Sequence, residues 1–443
     1  MANEPFMDRW TLNGTEVLLQ DHGRDQANGV PVLNSEAKLP LTYLPQNYTS
    51  WLKVDPRDPL HDSFDSWLAK LPYAKDVGKK YTAVPVSWDY GSAVLCVDAV
   101  VFKGMMFFNC LFGAIGSKDY GATWTIYTDI DTTQTFSTSI FSIFNDELYY
   151  LNAVRSGSVY TVRLFKTSDG EHWSEITSSI PFVSNTTASM TAVEDRLLIW
   201  WTFSSVTTIY RIDKNGNIDS VSPIKSGTSD AITLAFSGWY CNLKGNVVIA
   251  KSGYAIWYSE DFGATWTLSI NLQGSGKNFS CPGFDVNKET GTIVTCAKGI
   301  SDATTMAFYR STDGGKTFTL VYTTTEAAYT NSMIFIPTCA NGVWFVITGT
   351  NQGVVSYVSF DDGITWQAIT GAMSVMRRVG YTNGVYSIGP KYSTDGLHWT
   401  GADITEAGAG FQTACIGFQG VFCTAGGKGV NRSGVPIWLP PTT

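Results

Sequence analysis

Apolar and polar positions follow different rules on the two sides of residue 80. From Tyr81 onward, short runs of strand-forming residues are broken by turn residues, as in Val100-Val101-Phe102-Lys103-Gly104-Met105-Met106-Phe107. An apolar run, a turn and a second apolar run predict an antiparallel hairpin. The pattern returns around Asp146, Asp195, Gly245, Thr290, Gly342, Gly384 and Gly420, eight times in all. Six segments share a second pattern downstream of these hairpins: Ser117 to Trp124, Thr167 to Trp173, Ser259 to Trp266, Ser311 to Phe318, Ser359 to Trp366 and Ser393 to Trp399. Each reads Ser/Thr, Asp, Gly and a closing aromatic residue, and the second and sixth are one residue shorter than the rest. An Asp accepting backbone N–H bonds, a local hydroxyl and a Gly at positive φ fold a tight turn, and the aromatic ring anchors it on neighbouring strands. Decayed copies at Tyr210 to Asn217 and Asn431 to Trp438 complete the series. Eight units of about 45 residues, each holding four short strands, match the period of propeller blades. The expected fold is all-β, a β-propeller of about eight four-stranded blades over residues 81–443, with seven as the alternative if the terminal pieces merge into a shared blade.

Residues 1–80 lack this pattern and are rich in Pro, Asp, Asn and Leu. Leu60, Phe64, Trp67, Leu68 and Leu71 fall at i, i+4, i+7, i+8 and i+11, the stripe of an amphipathic helix, which Pro72 ends. The first 80 residues are therefore expected to form a mostly irregular arm with one short helix. An isolated helix of about 12 residues is marginal in water, so its apolar face must pack on the propeller or on another copy.

Composition narrows the function classes. Only 15% of the residues are charged and 14% are aromatic, which excludes a disordered chain. The net charge is −8, and the 30 Lys and Arg are scattered, so neither nucleic acid nor an anionic membrane is an expected partner. The N-terminus shows no basic region followed by an apolar one, and no apolar run reaches the ~18 residues of a membrane span, so cytoplasmic synthesis without membrane insertion is expected. The eight Cys lie mostly inside apolar runs, with no C-x-x-C pair. With only His22, His61, His172 and His398, there is little material for a zinc site or a His-based triad, and no cofactor or metal is expected. His172 and His398 fall at the variable position of the turn segments and read as exposed turn residues.

The six turn segments resemble Asp-boxes, the repeat of sialidases, of some other glycoside hydrolases, of sortilin-type receptors and of many non-enzymatic propellers. The resemblance implies a blade turn between third and fourth strands, away from the ligand face, and is not specific for any reaction. It makes Asp119, Asp169, Asp261, Asp313, Asp361 and Asp395 structural, together with the rings of Trp124, Trp173, Trp266, Phe318, Trp366 and Trp399. The Phe-Arg-Ile-Pro sequence that carries the first carboxylate-clamping Arg in sialidases is missing. No catalytic residue is assigned. A glycosidase remains the enzymatic alternative through facing carboxylates such as Asp129 or Asp131 with Glu326 or Glu406. The ligand face is expected opposite the boxes, in loops that include Asp129 to Thr135, Arg155 to Ser158 and Pro223 to Asp230, with Tyr254, Arg377 and Arg378 as receptor-contact candidates.

Residues 25–45, with Ala27-Asn28-Gly29-Val30, Leu33-Asn34-Ser35 and Lys38-Leu39-Pro40 in order, resemble a short linker recurring in bacteriophage tail fibres and tail proteins. Asn34, Ala37 and Tyr43 depart from its usual Asp, Gly and Gln. Apolar residues on a chain stiffened by Pro31, Pro40 and Pro45 gain burial by lying against a partner, which makes Val30, Leu33, Leu39 and Leu44 candidates for tail docking. The expectation is a virion tail receptor-binding protein, made in the bacterial host cytoplasm and not an enzyme. Its arm at residues 1–80 would dock to other tail proteins, and its propeller would recognise a host surface glycan or protein receptor as a homo-oligomer such as a trimer. A glycan-degrading tail enzyme and a purely structural tail protein are the alternatives.

Overall fold

The computed structural model describes the strands and box turns of residues 98–434, but not the longer connections 128–134, 181–186, 233–240, 273–282, 299–305, 325–336, 348–354, 370–378 and 405–411, together with Lys80–Val84 and, near the N-terminus, Arg9–Leu12 and Thr15–Leu18. The chain divides into two compact units, Met1–Lys75 and Asp76–Thr443. In the first unit Arg9–Leu12 pairs antiparallel with Thr15–Leu18, Leu12 opposite Thr15. This hairpin was not anticipated in an arm expected to be irregular, although Asn13-Gly14 between the strands is a strong two-residue turn signal. The expected helix around Leu60 to Leu71 lies outside the described residues. The second unit begins slightly before residue 80, and Lys80 already belongs to one of its strands.

The second unit is an all-β propeller. Seven blades are built from contiguous sequence, spanning residues 99–126, 135–175, 187–221, 241–271, 284–323, 337–369 and 380–401, and are numbered 1 to 7 here. Each is an antiparallel meander of four strands. A further sheet, blade 8, combines Gln412–Phe418, Val421–Gly426 and Gly429–Gly434 with Lys80–Val84 as its outer strand. The terminal pieces therefore share one sheet, and its inner strand lies against the inner strands of blades 7 and 1. The eight hairpin signals coincide with the junctions between first and second strands.

Strand alternation explains how blades stack. Successive side chains point to opposite faces, so one strand serves two neighbours. Val248 and Ala250 pack with Leu198, Trp200 and Ile209 of blade 3, whereas Ile249 packs with Phe284 and Ile293 of blade 5. Phe107 meets Phe141 and Tyr150 between blades 1 and 2, and Leu151 and Leu164 meet Ile199 and Trp201 between blades 2 and 3. Phe308 meets Trp344 and Tyr357 between blades 5 and 6, and Phe345 meets Tyr386 and Ile388 between blades 6 and 7. The core is thus a series of slabs. Between blades 7 and 8 the approach is closer: a Cβ on Gly417 would stand 2.6 Å from the Tyr381 carbonyl oxygen. Blade 8 meets blade 1 through Phe418, whose ring stacks on Tyr120 at 6.1 Å.

Two connections extend the meander. Ile224–Lys225, between blades 3 and 4, pairs parallel with the outer strand of blade 4. Asp403–Ile404 does the same on Lys80–Tyr81 of blade 8. No helix among the described residues is long and apolar enough to cross a membrane.

Candidate functional site

The boxes lie where the repeat places them, between third and fourth strands, and their bonding is nearly identical from blade to blade. In blade 1 the Ser117 hydroxyl donates to Asp119 Oδ1 at 2.8 Å and accepts the Gly121 N–H at 2.7 Å. Thr123 donates its N–H to Oδ1 at 2.8 Å and its hydroxyl to Oδ2 at 2.6 Å, and the Trp124 indole N–H donates to the Gly121 carbonyl at 3.2 Å. Asp261 and Asp361 repeat all five bonds, and Asp313 repeats the four that do not need an indole. The decayed copy keeps the scheme with Asn217, which donates to both Asp213 oxygens at 2.8 and 2.9 Å. Of the second decayed copy, only residues 431–434 are described, within a strand of blade 8.

The two short boxes show what the sequence concealed. His172 and His398 are exposed, as expected, but they stand in for the box Thr rather than at a variable position. Each donates its N–H to the box Asp Oδ1 at 2.8 Å, and each ring Nδ1 lies 2.6 or 2.7 Å from Oδ2. The missing residue also has a cause. Full boxes place two consecutive residues at positive φ, such as Tyr120 at 56° and Gly121 at 80°, whereas the short boxes have only Gly170 at 87° and Gly396 at 76°. Among the anchors, Trp124, Trp266 and Trp366 are buried, while Trp173, Phe318 and Trp399 are half-buried.

In three of the four full boxes the residue after the Asp reaches the preceding blade, while in blade 5 that residue is Gly314. Tyr120 stacks on Phe418, and Phe262 lies under the Arg196 guanidinium at 5.2 Å. Asp362, at φ 59°, accepts bonds from Asn287 Nδ2 at 2.8 Å, Trp344 Nε1 at 3.2 Å and the hydroxyls of Thr290 and Thr292. Arg310 completes this clasp between blades 5 and 6, donating Nε to the Asp362 carbonyl at 2.7 Å and Nη2 to its carboxylate at 3.1 Å. Ion pairs between neighbouring boxes add Lys118 to Glu171 at 3.2 Å and Glu260 to Lys316 at 2.6 Å. The box face is a fastening surface.

Hydrogen bonding sets the acidity of these carboxyls. For Asp119, Asp261, Asp313, Asp361 and Asp395 partial burial pushes upward, but the N–H and hydroxyl or ring donors outweigh it, and each is held below 3.8. Asp169 is lowered chiefly by the His172 N–H, then by its ring, and the same bond raises His172. Carboxyls lowered in the folded state give stability that is complete above the unfolded value and lost as pH falls through the folded one. We therefore expect the melting temperature to decline from about pH 4 downward. Melts of an Asp261→Asn variant should show a shallower acid decline than wild type, and an unchanged slope would contradict this account. His172 acts in the opposite sense, its contribution being present below about pH 6.5 and lost as pH rises through the folded value.

Arginines are engaged in similar ways. Arg163 holds Glu175 through two bonds at 3.2 and 2.6 Å, and Arg211 holds Asp219 at 2.6 and 2.7 Å. Arg196 and Arg310 are occupied as described. Cys339 is no ready nucleophile, since burial first and the nearby Asp285 next push its thiol up to about 12.

Antiparallel order puts second-to-third loops and inter-blade connections at the end opposite the boxes. Pro223 to Asp230 is an exception to the expected ligand loops. Ile224 N–H donates to the Ala264 carbonyl at 3.1 Å and Ser226 N–H to the Trp266 carbonyl at 2.8 Å, which places the segment on the outer edge of blade 4 beside its box. A strand partner was available there, and no local pattern announces it. Tyr254, Arg377, Arg378, Val30, Leu33, Leu39, Leu44, Asp129, Asp131, Glu326 and Glu406 lie outside the described residues.

A BNR/Asp-box repeat model matches residues 357–368, the box of blade 6 with its flanking strand ends. No curated protein matches the chain. Similar solved structures include YCF48 bound to D1 peptide, at 13% identity over 82% of this chain and 97% of that one, with a TM-score of 0.47. BamB from Moraxella catarrhalis is 11% identical over 82% and 99%, with a TM-score of 0.47. A polysaccharide lyase of family PL25, an ulvan lyase bound to -[GlcA(1-4)Rha3S]-, is 10% identical over 81% and 96%, with a TM-score of 0.44.

Proposed function

Because the chain is an Asp-box propeller, we propose that it is a receptor-binding protein of a bacteriophage tail, attached through its N-terminal arm and recognising a host surface glycan with the face opposite the boxes. One observation carries the choice of face. Every box carboxylate already accepts bonds from its own turn, and the residues beside it fasten neighbouring blades. That leaves the opposite loops free to vary in length and chemistry without disturbing the ring. The likeness of residues 25–45 to tail linkers supports the attachment half of the reading. Several copies on one particle would turn a modest glycan site into firm adsorption through effective concentration.

Competition provides the test. Full-length protein added to host cells before infection should reduce phage adsorption in a dose-dependent way, and prior removal of surface polysaccharide should abolish its binding. Adsorption unaffected by saturating protein would refute the proposal. Release of oligosaccharides during the incubation would instead favour a glycan-degrading tail enzyme.

A further inference from the structure

Strand direction fixes the end at which the chain enters the propeller. Third strands finish at their boxes, as Gly113–Ser117, Met306–Ser311 and Ser356–Ser359 do. In blade 8 the third strand Gly429–Gly434 follows the same course: Gly434 is opposite Val421, which pairs with Phe418, and the Phe418 ring stacks on Tyr120 in the box of blade 1. Lys80–Val84 runs antiparallel to that strand, with Thr82 opposite Arg432 and Val84 opposite Val430. Lys80 therefore stands at the box end, and the sequence before it joins the propeller on the side away from the proposed ligand face.

One sector of the box face differs from the rest. Between blades 1 and 2 the residue before the box Asp, Lys118, pairs with Glu171 of the next box, and between blades 4 and 5 Glu260 pairs in the same way with Lys316. At the corresponding place between blades 6 and 7 stand Phe360 and Leu397. The Phe360 ring leans on the blade 7 turn, 3.3 Å from where a Cβ on Gly396 would stand, and is still 49% exposed. Ile364, in the same box, is 53% exposed, and Leu397 is half-buried. Apolar residues grouped on a surface in this way mark interaction sites. The acidic residues of these two box turns are Asp361, Asp362 and Asp395. Arg310 neutralises Asp362, and His398 lies 2.7 Å from Asp395. Asp361 is exposed and is bonded only by neutral donors, from Ser359, Ile364 and Thr365. The sector is apolar with a negative border.

We infer that the box face is the side of the propeller that meets the tail, and that Phe360, Ile364 and Leu397 dock against a tail protein whose contact segment carries apolar side chains beside Lys or Arg. This rests on the proposed function and names the partner on its attachment side. The apolar side chains supply burial, and the carboxylates around them favour cationic neighbours. The probe is phage particles produced without this protein, reloaded with purified full-length protein and sedimented. Phe360→Thr and Ile364→Lys borrow the residues that blade 5 carries at these positions, Thr312 and Lys316, so the turn accepts them. Each should lower loading by about 10-fold with an unchanged melting temperature, and loading of the wild type should fall as salt rises. Val206→Ser removes a side chain that is 63% exposed at the opposite end of blade 3 and should load normally. All three variants should block adsorption of intact phage as the wild type does. Wild-type loading of Ile364→Lys would overturn the inference and leave the receptor-binding reading intact. A changed oligomeric state in the two box variants would overturn it as well, by making the sector a contact between copies. Wild-type protein that neither loads nor blocks adsorption would overturn the receptor-binding reading and the inference with it.

Discussion

Trp266→Ala should destabilise the protein by about 3–5 kcal/mol, the range for emptying a large buried aromatic site. The Trp266 ring is fully buried between blades 3 and 4, with Trp200 at 6.4 Å and Val248 and Ala250 in the same slab. Its indole N–H also holds the Gly263 carbonyl at 2.8 Å, so truncation empties the slab and loosens the box turn together. The strands around it are locked by their ladders and cannot collapse into the space, which keeps the cost near the top of the range. Trp266→Phe separates the two contributions. Blade 5 carries Phe318 at this position, half-buried where Trp266 is fully buried, so the turn itself accepts a phenyl ring, and the loss should fall to about 2 kcal/mol for the missing hydrogen bond and the space left by the second ring of the indole. Chemical denaturation of the three proteins would check this. A Trp266→Ala loss below about 1 kcal/mol would mean that the box ring is not the anchor described here.

Removing Lys80–Val84 should have a comparable effect, although the segment lies far in sequence from the sheet that it completes. Thr82, Ala83 and Val84 pair with Arg432, Asn431 and Val430, while Lys80 and Tyr81 pair with Asp403 and Ile404. Deleting it strips the outer strand from blade 8 and leaves two edges unpaired. At about 1 kcal/mol per ladder bond, the loss is about 3–6 kcal/mol, or roughly 5–10 °C in melting temperature. A protein starting at Asp76 keeps the strand and should melt close to the full chain, whereas one starting at residue 85 should melt earlier. Coincident melting of the two shortened proteins would show that the ring does not depend on this strand.

The difference between these two predictions is also the difference between what sequence did and did not reveal. The box is local chemistry: Asp261, Gly263, Thr265 and Trp266 bond within one turn, so their spacing is visible in a single segment. Eight hairpins were legible for the same reason. Long-range pairing leaves no such trace. Nothing near Lys80 distinguishes a closing strand from the start of an ordinary blade, and nothing near Ile224 announces an added edge strand. Tyr120, Phe262 and Asp362 share one backbone role but differ in side chain, because each answers to a different neighbour, and no motif unites them. His172 looked variable because a Thr was expected; only its bond to Asp169 shows the equivalence.

Closure by Lys80–Val84 also imposes an order on biosynthesis. The segment leaves the ribosome about 350 residues before its partner Gly429–Gly434 is made, a delay of about 20–70 s at elongation rates of about 5–20 residues per second. Throughout that interval Tyr81-Thr82-Ala83-Val84 is a strand without its neighbour, and every earlier blade can assemble while the ring stays open. Lys79 and Lys80 stand directly before it, two like charges where an unpaired β-segment would otherwise invite association with another nascent chain.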